Sequence, residues 1–173
     1  MLENRLPISN DKYEKLLCLA NLANNEAMSS KCKRKQVGAV LATKDGFNPV
    51  AYGFGGAQSE EPCSECVRDK YTWHQDGCWS IHAELRAIFD FIAQFYDRSM
   101  MKAVNSGKFL EDYIMLTTHG PCDQCLKYMH MFGITDVIYL IPYHDDYAKW
   151  GGKITVWSFD QYVKEHFKDV TIP

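Results

Sequence analysis

Two short segments limit how this chain can fold: His82-Ala83-Glu84 and Pro121-Cys122-Asp123-Gln124-Cys125. One imidazole and two thiolates match a tetrahedral zinc site whose fourth position stays open for water. A Cys-x-x-Cys pair at a helix start lets both sulfurs face one ion, and the free backbone N–H groups there favour the thiolate. Pro121, just ahead of that helix, fixes the approach of the chain. If His82, Cys122 and Cys125 share an ion, two junctions far apart in sequence must meet. Glu84 sits two residues past His82 in the first helical turn. From there it reaches a water at the open position without ligating the metal, as a general acid–base must.

Each segment alone says little. A single Cys-x-x-Cys also suits a redox pair, and a single His-x-Glu has no specific meaning. A redox protein has no call on His82 and Glu84, and a purely structural zinc has no need of a poised carboxylate. Together and in this order they form the signature His-x-Glu…Pro-Cys-x-x-Cys of zinc deaminases.

The remaining sequence supports an ordinary globular chain. Its 173 residues fit one domain, with 46% hydrophobic and 24% charged residues. The net charge of −3 gives no overall attraction for a polynucleotide or an anionic membrane. A local basic pocket for one phosphate remains compatible with it. The N-terminal MLENRLPISN lacks the apolar core of a signal peptide, and no apolar run approaches the roughly 18 residues of a membrane span. A reducing, cytoplasmic setting is therefore expected, where the seven cysteines point to metal rather than disulfides.

Periodicity predicts a helix over 11–28 behind Asn10, and strands over 36–43 and 49–54 around the turn 44–48. A long loop follows over 55–80. A helix is expected over 81–96, a further helical segment or lid over 97–111, a strand over 113–118 and a helix over 123–132. A strand over 137–141, another over 154–158 and a helix over 159–167 complete the chain. Alternating strands and helices argue for a layered α/β fold, with both metal segments at strand-to-helix junctions where sites in such folds form.

With these residues in view, the chain resembles the cytidine and deoxycytidylate deaminase family over most of its length. Gln36-Val37-Gly38-Ala39-Val40 resembles the first-strand motif, and Gly53-Phe54-Gly55-Gly56 stands where the family has a Gly-Tyr-Asn-Gly turn. Cys66-Val67-Arg68 and Cys78-Trp79-Ser80-Ile81-His82-Ala83-Glu84 resemble the deoxycytidylate branch, which has a cysteine-rich loop before the catalytic histidine. Thr118-His119-Gly120-Pro121-Cys122-Asp123-Gln124-Cys125 resembles the second zinc motif. The resemblance implies an α/β/α sandwich on a five-stranded mixed sheet, hydrolysis of dCMP to dUMP, and a homo-oligomer, commonly a hexamer. It also implies dCTP and dTTP as effectors. Three positions depart from the family: Gly55 replaces the asparagine that contacts the sugar, Arg86 replaces an asparagine after the catalytic Glu, and Gly120 replaces Ser or Glu before Pro121.

The loop also carries Cys63, Cys66, His74 and Cys78, a soft-ligand set for a second, structural zinc, with Cys32 as a competing ligand. Some phage members of the family resemble it in this. Substrate-facing candidates are Phe54, Gly55, Ala83, Arg86, His119 and Tyr143. The run Lys31-Cys32-Lys33-Arg34-Lys35, with Arg68 and Lys70, offers phosphate or effector contacts or simply a solvated loop. Trp79 and Trp150, like Phe54, are either stacking rings or core. Besides dCMP, the residues leave open a modified pyrimidine nucleotide, another nucleoside or base, and a non-catalytic zinc-stabilised binding module.

Overall fold

The computed structural model describes residues 10–57, 66, 78, 80–95, 100–143 and 146–167. In chain order the elements are α1 (Asn10–Met28), β1 (Gly38–Thr43), β2 (Pro49–Phe54), β3 (Gly56–Ala57), β4 (Ser80–Ile81), α2 (Ala83–Phe95) and α3 (Met100–Asn105). Then come β5 (Tyr113–His119), α4 (Asp123–Met131), β6 (Asp136–Ile141), a 3-10 turn (Ala148–Trp150), β7 (Thr155–Ser158) and α5 (Phe159–His166). Five strands form one sheet in the order β2-β1-β5-β6-β7. Strand β1 pairs antiparallel with β2 and β5, while β5, β6 and β7 run parallel. The sheet is mixed, as the family resemblance implied.

Strand alternation splits the sheet into two cores. On one face, Ala39, Leu41 and Met115 meet Ala87, Ile88 and Phe91 of α2 and Leu126 and Met129 of α4. On the other, Val40, Ile114 and Leu116 meet Leu16, Leu19 and Ala23 of α1 and Tyr162 and Val163 of α5. Helices on both faces make the expected α/β/α sandwich. Helix α5 opens with a full capping box: Ser158 Oγ accepts from Gln161 N, and the Gln161 side chain accepts from Ser158 N.

Three expectations about element limits change. Strand β1 begins at Gly38, not Gln36, although the bond from Gly55 N to Val37 O (2.8 Å) continues the β1–β2 register one residue further. Gln36 Nε2 donates to Ser30 O (3.2 Å). The 55–80 loop is not structureless at its ends: Gly56 and Ala57 pair with Ile81 and Ser80 as a two-stranded ladder. That pairing holds Ile81 extended and delays α2 to Ala83. Within 97–111, the described helix is confined to Met100–Asn105.

At one edge of the sheet Lys44, just past β1, donates to Thr135 Oγ1 (2.7 Å) and pairs with Asp136 at the start of β6 (2.8 Å). The opposite edge receives the starts of α2 and α4, and its geometry depends on a close helix-to-strand approach. A Cβ built on Gly53 of β2 would stand 2.2 Å from Ala83 O and 2.5 Å from Ala87 N. Both are backbone atoms that cannot rotate away, so only glycine lets α2 lie this close. Gly53→Ala is expected to destabilise the fold by roughly 1–3 kcal/mol or more, the cost of overpacking a tight contact. Denaturant melting of the purified variant checks this, and an unchanged midpoint would show that the approach is looser than described.

Candidate metal centre and active site

Strands β2 and β5 are both antiparallel to β1, so they point the same way and their C-terminal ends share one edge. Helices α2 and α4 begin at that edge, on the same face. This brings His82, one residue before α2, against Cys122 and Cys125 of the α4 start. His82 Nδ1 lies 3.2 Å from Cys125 Sγ and 3.5 Å from Cys122 Sγ. All three donor atoms lie within 4.8 Å of one another, the one such group among the described residues. Ligands around tetrahedral zinc, with bonds near 2.1 Å to nitrogen and 2.3 Å to sulfur, stand about 3.5–3.8 Å apart. The donor set and its spacing therefore fit zinc. The ring nitrogen facing the sulfurs is Nδ1, a choice that the motif alone left open.

The two sulfurs differ in protonation. The adjoining Cys125 thiol holds Cys122 down to about 4 despite the opposing pull of burial, with help from the His82 ring. Cys125 is pushed far up by facing the Cys122 sulfur and by burial, with Glu84 adding to the effect. A bound cation would favour the thiolate form of both.

Glu84 is 4% exposed, one of few buried charged or polar side chains among the described residues. Burial pushes its carboxyl up, while the backbone N–H of its own helical turn and the His82 charge pull it part of the way back. It also hydrogen-bonds Cys125. A buried carboxyl beside the metal donors, raised above the usual carboxylate range, is placed to receive and return protons.

The structure sorts the other sequence-predicted residues. Ala83 is fully buried at the head of α2. Gly55 donates to Val37 O, and its carbonyl accepts from Ser30 Oγ. Arg86 turns to the β3–β4 ladder, donating from Nη2 to Gly56 O (3.1 Å) with its guanidinium 4.3 Å over the Phe54 ring. Phe54 thus has a stacking partner within the chain. His119 ends β5 half-buried, with Nδ1 3.2 Å from Thr118 Oγ1; burial and the Lys35 charge lower its pKa and favour the neutral ring. Lys35 Nζ stands 3.7 Å over the Tyr143 ring, a cation–π contact that sequence reasoning missed.

Trp150 is tied by its indole N–H to Asp123 Oδ1 (3.1 Å) and packs beside the α2–α4 core. Of the loop cysteines, Cys66 and Cys78 are half-buried and free of disulfides, as is Cys32. Cys63, Arg68, Lys70, His74 and Trp79 lie outside the described residues.

Comparison with known proteins agrees with this geometry. Residues 10–141 match the sequence profile described as "Cytidine and deoxycytidylate deaminase zinc-binding region". No curated protein sequence matches the chain. Among solved structures, the dCMP deaminase of cyanophage S-TIM5 in apo form superposes with a TM-score of 0.61 at 21% identity, covering 85% of this chain and 98% of that one. Its complex with dCMP and dUMP gives 0.60 at 22%, covering 85% and 97%. A structure from work on tRNA:A34 deaminases, which edit A to I at the wobble position, gives 0.53 at 17%, covering 83% and 98%. These likenesses establish the fold. No described helix is long and apolar enough to cross a membrane.

Cys122→Ser is expected to lower the zinc content of the purified chain by one equivalent and to abolish turnover with it. Elemental analysis beside an activity assay checks both; a variant that keeps its zinc and its turnover would remove Cys122 from the site.

Proposed function

We propose that this chain, which belongs to the cytidine and deoxycytidylate deaminase family, is a zinc hydrolase that converts dCMP and water to dUMP and ammonia. The observation that carries the reading is the buried Glu84 carboxyl beside three converging donors, His82 Nδ1, Cys122 Sγ and Cys125 Sγ. These three would hold zinc, which when bound lowers the pKa of a water molecule to about 7. Glu84 would take a proton from the water that adds to C4 and deliver it to N3 of the cytosine. It would then carry the proton of the new C4 hydroxyl to the amine, and the C4–N bond would break to leave a carbonyl and ammonia. A purely structural zinc site has no use for a carboxylate buried in this way, which argues against a binding module.

A nucleotide is favoured by the rim of the same sheet edge. Tyr143 N lies 3.1 Å from where a Cβ on Gly120 would stand, two residues from Cys122. Lys35 over Tyr143, with His119 in its field, places positive charge there for a 5′-phosphate. The similarity of the fold to that of a dCMP deaminase supports the same substrate. A second reading, a pyrimidine nucleotide with an additional substituent, rests on Gly55 and Arg86, which depart from the family pattern at substrate-facing positions. A Cβ on Gly55 would meet only ordinary contacts, 3.6 Å to Val37 Cβ and 3.9 Å to Ala83 N. Crowding is therefore not what keeps that position bare.

In the 55–80 loop, the same cysteine-rich set of Cys63, Cys66, His74 and Cys78 is proposed to hold a second, structural zinc, with Cys32 the alternative ligand. Cys66→Ser is expected to remove one zinc and lower the melting temperature while the zinc lost in Cys122→Ser stays bound. An unchanged metal content and melting temperature would discard this site.

Glu84→Gln is nearly isosteric and is expected to keep zinc and fold while turnover falls about 10²- to 10⁴-fold, the loss typical of a general acid–base. Ammonia release by parent and variant is measured on dCMP, 5-substituted dCMP, deoxycytidine, CMP and AMP. Fastest release from dCMP is the expected pattern; parental turnover in Glu84→Gln would end the mechanism, and no release from any pyrimidine nucleotide would end the substrate assignment.

A further inference from the structure

The turn from Pro121 to Asp123, which carries Cys122, is gripped from outside by residues 147–150. Tyr147 Oη donates to Pro121 O (3.3 Å), the carbonyl immediately before Cys122. Lys149 Nζ donates to Asp123 Oδ2 (2.6 Å), and Trp150 Nε1 donates to Asp123 Oδ1 (3.1 Å). Asp123 is the residue between Cys122 and Gln124, so both of its carboxylate oxygens are bound one residue from a metal donor. The segment is itself shaped for this. Asp146 Oδ1 accepts from Ala148 N (3.2 Å), and Trp150 N donates back to Tyr147 O (3.0 Å), closing the 3-10 turn. Tyr147 and Trp150 also pack against the core beneath α2 and α4.

Gly120 completes the fit. A Cβ at that position would stand 2.3 Å from Tyr147 Oη and 3.1 Å from Tyr143 N. A serine or glutamate before Pro121 would push the tyrosine off the Pro121 carbonyl. The bare Gly120 and the Tyr147 hydroxyl thus occupy one space.

We propose that Tyr147, Lys149 and Trp150 are positioning residues: a strap that fixes Pro121 and Asp123 and so holds the Cys122 and Cys125 sulfurs at the spacing that binds zinc. This rests on the reading of His82, Cys122 and Cys125 as zinc ligands. The strap touches no donor atom directly. It works by orienting the loop on which the donors ride, one step further out than groups bonded to the ligands themselves, whose loss costs about 10- to 100-fold in metal affinity.

The test uses the zinc-loaded chain and a chromophoric chelator in excess, following the phase of zinc release that is missing from Cys122→Ser. Tyr147→Phe removes one hydroxyl and keeps its ring, while Trp150→Phe removes the N–H and leaves a smaller aromatic ring against the core. The double variant is expected to release that zinc at least ten times faster than the parent. Lys44→Met serves as the control, since it breaks the Lys44–Asp136 pair at the far edge of the sheet and is expected to lower the melting temperature without changing the release rate. Equal rates in parent and double variant would overturn the strap, as would an equal acceleration in Lys44→Met. A parent chain that carries no zinc in this phase would overturn the metal site and the strap together.

Discussion

Helix α2 lies on strand β2 so closely that Gly53 has no room for a methyl group between it and the Ala83 carbonyl. That contact sets the height of the helix above the sheet, and with it the height of Glu84 and of His82 just before the helix. Helix α4 reaches the same edge from the end of β5, two strands away. The metal centre exists because these two helix starts are held level on one rigid sheet. The same approach on the opposite face, where a Cβ on Gly38 would stand 2.0 Å from Ala23 O, seats α1 beneath β1. Close packing thus sets the catalytic geometry from both sides.

Burying a carboxyl at this edge is costly unless its neighbours answer it. Glu84 receives the backbone N–H of its own helical turn and the field of His82, and it hydrogen-bonds Cys125. These offset the burial only in part, so the carboxyl stays above the usual carboxylate range. A fully solvated glutamate would remain ionised near neutrality and return protons poorly. The fold therefore brings a buried carboxyl and three potential metal donors into one contact set.

Much of this was legible in the sequence because period and motif carry it. The 3.6-residue pattern located α1 and α2, and apolar runs located β1, β5 and β6. His82, Cys122 and Cys125 stood out because one imidazole and two thiolates suit zinc, and the fold brings their donor atoms together. The β3–β4 ladder was not legible, since two residues are too few to show an alternation. The left-handed Phe47 (φ 51°) was equally hidden: its ring is held in the core by Tyr162 and Phe167, far along the chain. The partners of Asp123 come from a segment about 25 residues later with no motif of its own. Sequence placed Arg86 among the substrate-facing candidates, and only the fold shows it turned to Gly56 and Phe54.

The central claim is that zinc sits between His82, Cys122 and Cys125, with Glu84 beside it and unbound to it. Anomalous diffraction from crystals of the zinc-loaded chain, collected on both sides of the zinc absorption edge, tests this directly. The account predicts a peak at bonding distance, about 2.0–2.3 Å, from His82 Nδ1, Cys122 Sγ and Cys125 Sγ, with both Glu84 carboxylate oxygens farther away. No peak at that position, or a peak bonded to Glu84, would contradict it.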